Sequence, residues 1–427
     1  MKNLTLLVVS FWVILFHSCK GREDSKDDKE EAKTEAATIT LPEGFSSLVV
    51  ADSVGAARHI AVNSNGDIYV KLDKLNGGRG ILRLRDTNND GSADDIFGFG
   101  NYAGTGIAIK NGYLYASSND NVYRYKMDNN EVSANTDEEM IVEGLMNKTE
   151  HASKSITLDN NGFIYVNIGA PSNACQEKNR EKGSPGMNPC PLLDSAGGIW
   201  QFKADKANQH FADGLRYVTG IRNIVGLDWN NSANDLYAVQ HGRDDLDRMF
   251  PDLYTEAQRL ELPAEEMFRM KKGADFGWPY CYYDPVQKKK VQGPEYGGDG
   301  KKTSGCENKQ LPVYAFPAHS APNALLFYTG TRFPEKYRNG AFIAFHGSWN
   351  RAPKEQQGFN VVFLPFKDGM PGGEYEIFAD GFAGKTKTPD GAANRPCGSA
   401  QGPDGSLYIS DDKVGSIWKV TYKGTAK

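Results

Sequence analysis

Beyond Leu4 to Phe16 the chain has no long apolar run. That excludes a polytopic membrane protein, because each spanning helix needs about 20 consecutive apolar residues. It also lacks a surplus of positive charge: Lys+Arg number 49 against Asp+Glu 54, a net charge of -5. Such a surface has little hold on a phosphate backbone, which excludes a nucleic-acid binder. No Cys-x-x-Cys-His occurs, so no c-type haem is attached. Disorder and collagen-like repeats are excluded by an ordinary apolar fraction, 39%. What the chain holds in quantity is glycine, 46 residues, with 20 Tyr and 21 Phe. That mixture favours short strands and many turns.

The first segment reads as an address. Lys2 supplies a thin positive start, Leu4 to Phe16 is almost wholly apolar, and Ser18-Cys19 follows, the order of a signal peptide. Leu15-Phe16-His17-Ser18-Cys19 resembles a bacterial lipoprotein signal, which implies lipidation of Cys19 and an exported protein held on a bacterial membrane, on its periplasmic or cell-surface side. Plain secretion with cleavage close by is the alternative. Residues 20–37 are charged and carry no aromatic residue. They cannot bury enough apolar surface to order themselves and are expected to form a tether. The folded domain is expected over residues 38–424. An exported chain permits disulfides, and Cys175 with Cys190 and Cys281 with Cys306 are the economical local pairs, leaving Cys397 over. Spacing alone does not decide that connectivity.

One pattern recurs along the body: a polar turn with Gly or Asn, then an aliphatic-aromatic strand. It occurs at Asn65 to Val70, Asn111 to Tyr115, Asn161 to Val166, Asn234 to Ala238, Asn339 to Ile343 and Pro403 to Ile409. Several copies are followed by a second strand, as in Gly80 to Leu84, Asn121 to Tyr125, Gly198 to Phe202 and Ser416 to Val420. The early copies lie about 46 to 50 residues apart, close to one four-stranded blade each. The expected fold is therefore all-β, a six-bladed β-propeller with long inserted loops. The strand within Thr38 to Ala51 is expected to complete the last blade, and a helical interruption is expected over Leu246 to Met270.

A propeller gathers its long loops at one end of a central channel, so the polar residues flanking the repeated strands carry the functional argument. Arg58-His59 precedes the first repeat and His151 the third. Thr219 to Leu227 opens the fourth and Gln240 to Asp245 closes it. His346-Gly347-Ser348-Trp349-Asn350-Arg351 follows the fifth, and Asn394-Arg395-Pro396 precedes the sixth. Singly, each has a structural explanation: a satisfied histidine, an arginine bonded to loop carbonyls, a tryptophan covering a core. Pooled at corresponding repeat positions, His151, Arg58, Arg222, Arg351 and Arg395 point to a bound polyanion, since gathered arginines otherwise repel one another.

These segments carry a family resemblance. His151 to Ile168, Gly220 to Leu227, Gly273 to Pro279 and Arg395 to Asp412 together resemble the glucose/sorbosone dehydrogenase family. His241-Gly242-Arg243-Asp244-Asp245-Leu246, His319-Ser320-Ala321-Pro322 and His346 to Arg351 look like its sorbosone dehydrogenase branch. The resemblance implies a six-bladed propeller that holds pyrroloquinoline quinone and calcium and oxidises a sugar or sugar-derived aldehyde. It implies His151 as the catalytic base, Arg222 and Asn223 over the quinone, and Arg395 in contact with it. Gly242 and Arg243 would offer backbone carbonyls to the calcium, with Asp244 beside them. Arg58, His319, His346, Trp349 and Arg351 join the cofactor site by position. Electrons would pass to a separate acceptor, a cytochrome or a quinone, and a monomer is the default expectation.

Two departures argue against glucose itself: Cys397 stands where soluble glucose dehydrogenases of the family carry a second arginine, and Gly169-Ala170-Pro171-Ser172 lacks their polar substrate contact. A second calcium candidate is the Asp86 to Asp94 turn, with oxygen side chains at Asp86, Asn88, Asp90 and Asp94. It resembles the start of an EF-hand loop without the closing glutamate, and a solvated turn is the alternative. Two rival functions are a calcium-dependent, lactonase-like hydrolase, which would want side-chain carboxylates around its metal, and a glycan- or protein-binding propeller without catalysis.

Overall fold

Each of the six repeated turns joins the first and second strands of one antiparallel sheet. At Asn111-Gly112 both residues hold positive φ, 50° and 76°, the twist-matched two-residue hairpin to which Asn-Gly is suited. The computed structural model describes residues 38–424; the expected signal segment, Cys19 and the tether lie outside the described residues.

In chain order blade I is Ala57–Val62, Ile68–Asn76, Arg79–Arg85 and Asp95–Phe99, and blade II is Ile107–Lys110, Tyr113–Ser117, Val122–Lys126 and Glu138–Glu143. Blade III is Ile156–Leu158, Phe163–Ile168, Gly198–Lys203 and Leu215–Thr219, and blade IV is Ile224–Asn230, Asp235–Gln240, Glu265–Met270 and Tyr314–Phe316. Blade V is Pro322–Phe327, Gly340–Phe345, Asn360–Lys367 and Glu376–Ala379. Blade VI takes Pro396–Gln401, Leu407–Asp411 and Ile417–Tyr422 from the end of the chain and its outer strand, Phe45–Ala51, from the beginning, with Phe45 opposite Tyr422. The six blades form a ring, a six-bladed β-propeller.

The hydrophobic core is divided into six main clusters, one at each blade-to-blade interface. Successive side chains of a strand point to opposite faces, so Ile68 and Val70 pack towards blade VI while Tyr69 packs towards blade II. Both faces are therefore buried. This is why the repeated strands read as continuous apolar runs rather than as alternating ones.

The interruption expected over Leu246 to Met270 is helical only in part. Leu246–Met249 and Glu256–Glu261 are short helices, whereas Glu265–Met270 is the third strand of blade IV. Strands on both of its sides claim its backbone, and that pairing overrides the local preference of its acidic start. No helix among the described residues is long and apolar enough to cross a membrane.

Strand direction decides which loops share an end of the channel. Connections from second to third strand, and from each blade to the next, open on one end; first-to-second and third-to-fourth turns open on the other. Two connections are long. Residues 169–197 in blade III enclose the Cys175–Cys190 disulfide, and residues 271–313 in blade IV enclose Cys281–Cys306; Cys397 is a buried free thiol. The second insertion leaves from the far end but climbs back beside Leu215–Thr219: Gly273 N–H donates to Tyr217 O, Phe276 N–H to Thr219 O and Trp278 N–H to Gly220 O.

Ring closure rests on Phe45, whose ring meets Phe333, Tyr337, Phe378 and Tyr422 at centroid distances of 4.8 to 5.4 Å. Phe45→Ala is expected to lower unfolding stability by about 2–3 kcal/mol, measured by denaturant titration.

Candidate active site

The candidates for the base, the quinone and the first calcium lie on the blade-to-blade and second-to-third connections, with Arg58 at the start of the first strand of blade I, and so at one end of the channel. His151 sits between blades II and III with φ 55°. Its Nδ1 is 2.5 Å from the Ala170 carbonyl. A carbonyl only accepts, so Nδ1 carries the proton and Nε2 keeps a free lone pair. Gly169 explains how the chain approaches so closely: a Cβ there would fall 2.7 Å from His151 Cβ and 2.5 Å from Asn223 Oδ1. The same geometry brings His151 and Asn223 together.

Arg222 and Asn223 begin blade IV. Arg222 donates from Nη2 to Asp244 Oδ2 at 2.8 Å, while its buried Nε–H has no partner among the described residues. Asn223 Oδ1 accepts from Asn167 Nδ2 at 3.3 Å, and its carbonyl accepts the His241 N–H at 3.0 Å. Asp244 is a hub: Oδ2 also receives Arg180 Nη2 at 3.2 Å, and Oδ1 receives Asn350 Nδ2 at 3.1 Å. His319 accepts at Nδ1 from the same Asn350 amide at 3.4 Å and donates from Nε2 to the Arg259 carbonyl at 2.8 Å.

A second sector centres on Asp412, which no motif singled out. It receives Arg58 Nη1 at 2.7 Å and His346 Nε2 at 2.6 Å. Arg395 donates to the His346 carbonyl at 3.0 Å and the Gly347 carbonyl at 2.8 Å, and forms no ion pair among the described residues. His241 lies between the sectors, since Arg222, His346 and Arg58 all act on its charge. Trp349 is 52% exposed. Arg351 is fully buried, but its terminal nitrogens are taken by the Leu260 and Ala318 carbonyls and by Glu261. It fastens the Glu256–Glu261 helix rather than facing His151.

The Gly242 and Arg243 carbonyls accept no hydrogen bond from the described residues, although both residues are buried. The Asp86 turn is built differently and stands at the opposite end. Asp86 accepts the Gly91 N–H at 2.9 Å, Asp94 accepts both the N–H and the hydroxyl of Thr87 at 2.9 Å, and Asn88 and Asp90 bond each other. Most of its oxygens hold their own loop, and the buried Asp86 Oδ1 has no partner among the described residues. Among the described residues no group of three or more His, Cys, Asp or Glu side chains is arranged to hold a metal.

Burial governs the titration of the site. It pushes His151 down to about 3, with the Arg222 charge adding to the effect. His241 and His59 are pushed down to about 4, again by burial first, with Arg58 assisting in both. Burial alone would raise Asp412, but His346 and Arg58 outweigh it and hold the carboxyl well below its usual range. The histidines are thus neutral at pH 7 beside four arginines, Arg58, Arg180, Arg222 and Arg395. Asp412 and Asp244 pair with Arg58, Arg180 and Arg222, which leaves Arg395 as the one of the four without an ion pair among the described residues.

Histidine protonation links this site to stability. Unfolded histidines bind protons below about pH 6.5, whereas native His59 and His241 refuse them down to about 4. Stability present above pH 6.5 is therefore lost as the pH falls through that window. Thermal unfolding is expected to occur at lower temperature at pH 4.5 than at pH 7. His59→Gln, whose amide can still donate to the Asn323 carbonyl, is expected to shrink that drop.

Residues 39–423 match the TrAA12-like family model. The chain is 30% identical over 212 residues to an uncharacterized protein of Borreliella burgdorferi, a match covering 48% of each chain, so it spans about half of that relative. It is 22% identical over 369 residues, 80% of each chain, to a pyrroloquinoline quinone-dependent sugar dehydrogenase of Hypocrea jecorina. Among solved structures, the calcium structure of the Trichoderma reesei carbohydrate-active enzyme of family AA12 superposes with a TM-score of 0.73 at 21% identity, covering 91% of this chain and 97% of that one. Matched over nearly all of its described residues, the chain belongs to the TrAA12-like family.

Proposed function

We propose that the channel end oxidises a sugar or sugar-derived aldehyde with pyrroloquinoline quinone and calcium, His151 serving as base. The observation that carries this reading is the pairing of a free Nε2 lone pair on His151 with an unpartnered, buried Nε–H on Arg222. A proton acceptor and a donor for developing negative charge stand side by side. The quinone is multiply negative, and Arg58, Arg222 and Arg395 offer it a cationic bed in which Arg395 lacks a carboxylate of its own. The bare carbonyls of Gly242 and Arg243 offer the oxygen ligands that calcium prefers.

A quinone held by Arg58, Arg222 and Arg395 would supply the hydride acceptor for the substrate carbon, and calcium held by the Gly242 and Arg243 carbonyls would supply Lewis acidity. The chain supplies the rest. His151 Nε2 takes the substrate hydroxyl proton, and Ala170 fixes the tautomer that keeps this nitrogen free. Arg222, oriented by Asp244, stabilises the negative charge that develops opposite. A calcium-dependent hydrolase is less well supported, because no cluster of carboxylates converges on a metal position among the described residues. The two disulfides suit an oxidising compartment. We propose export with a lipid anchor at Cys19 and residues 20–37 as tether, a monomeric propeller domain over residues 38–424, and electron transfer to a separate carrier.

Purified protein supplied with calcium and the quinone is expected to reduce a dye with some of a panel of aldoses and sugar aldehydes. His151→Ala is expected to lower kcat/KM by about 10²–10⁴-fold while leaving quinone binding, followed by its absorbance, intact. Equal activity in that variant would remove the base assignment, and absence of quinone binding in the wild type would remove the cofactor. Because His151 is held at about 3, kcat/KM is expected to keep its full value from pH 7 to pH 5. An acid limb near pH 6.5 that vanishes in His151→Ala would contradict the neutral, buried base.

A further inference from the structure

The loop Gly242-Arg243-Asp244 is gripped by three buried side chains from three separate parts of the chain. Glu265, at the start of the third strand of blade IV, accepts the Gly242 N–H at Oε2, 2.7 Å away. Its other oxygen accepts the Ala321 N–H at 3.3 Å, so one carboxylate rivets two connections together. Asn173, from the blade III insertion, brackets Asp244: Oδ1 accepts the Asp244 N–H at 2.9 Å and Nδ2 donates to the Asp244 carbonyl at 3.0 Å. Glu295, from the blade IV insertion, binds the Arg243 guanidinium through both oxygens at 2.6 and 2.7 Å. Asn173 is 0%, Glu265 2% and Glu295 6% exposed.

The result is asymmetric. The N–H groups of Gly242 and Asp244 and both terminal nitrogens of Arg243 are consumed, whereas the carbonyls of Gly242 and Arg243 receive no donor from the described residues. Buried carbonyls are seldom left bare, because each forfeits the hydrogen bonds it made to water. Here the three clamps hold the peptide planes so that the free acceptors are two consecutive oxygens, a donor set that suits a hard cation. The disulfides stiffen two of the clamps: Cys175, two residues after Asn173, is bonded to Cys190, and Cys281–Cys306 encloses Glu295.

We propose that Asn173, Glu265 and Glu295 are positioning residues that preorganise the Gly242–Asp244 backbone for its cation. This rests on the reading of that loop as the calcium site. None of the three touches substrate or cofactor in this account. Asn173 and Glu265 act through the peptide groups they hold and Glu295 through the Arg243 side chain, as residues behind the ligands do at other metal sites.

The test is calcium titration of the full, quinone-free protein by calorimetry, repeated with terbium luminescence as an independent signal. Asn173→Ala, Glu265→Gln and Glu295→Gln are each expected to weaken calcium by about 10–100-fold. Glu265→Gln is isosteric and carries the test should Asn173→Ala fail to fold. Phe45→Ala, which loosens ring closure far from the loop, is the control: it lowers the metal-free Tm but is expected to leave the calcium Kd unchanged. Variants that bind calcium as tightly as the wild type, or a Phe45→Ala control weakened equally, would overturn the positioning role. A wild-type protein that binds neither calcium nor terbium would overturn the calcium reading of the loop, and the inference with it.

Discussion

Two-sided burial of every blade is the constraint from which the rest of this molecule follows. A strand such as Ile68–Asn76 sends Ile68 and Val70 to one interface and Tyr69 to the other, so a blade standing alone would expose a full apolar face. Each blade can satisfy both faces only by having neighbours on both sides, and a ring is the arrangement in which none is left at an end. The strand Phe45–Ala51 closes that ring through backbone pairing, because the last sheet is built from both ends of the folded chain.

Closure also organises chemistry. Antiparallel strands alternate direction, so two classes of connection from every blade are delivered to one end of the channel. Residues separated by hundreds of positions become neighbours there without any local sequence signal; Arg58 and His346 share Asp412, and Arg180 and Arg222 share Asp244. Burial keeps the histidines neutral among these cations. The positive charge at the site therefore belongs to arginines, which do not titrate in the physiological range, and in the proposed reaction the proton acceptor is a histidine.

The insertions of blades III and IV add what the ring alone does not provide. Each is long, polar and closed by a disulfide, and each sends one buried side chain to the 242–244 loop. A propeller with short loops would present the same channel with that loop held by Glu265 alone of the three. In this molecule precision at the candidate site comes from outside the repeats, laid over a scaffold that is regular beneath it.

The number of blades and their boundaries were legible in the amino-acid order. Asn111-Gly112 and its five counterparts are local turn chemistry, and a strand buried on both faces has a composition of its own. The end of the channel on which a residue lies was legible too, because it depends only on which connection carries it. The interruption at Leu246 to Met270 was misread where long-range pairing outweighed local preference at Glu265–Met270. Partnership was beyond the sequence. Nothing local distinguishes Arg222, whose terminal nitrogen meets Asp244, from Arg351, whose terminal nitrogens are taken by the carbonyls of Leu260 and Ala318, and nothing marks Asp412, Asn173, Glu265 or Glu295 as the groups that orient the rest. Local periodicity and turn residues specify repeated strands because those signals span a few positions. The meeting of one side chain with another across the channel is decided by the paths of two insertions and the closure of the ring, and these exist only in the folded chain.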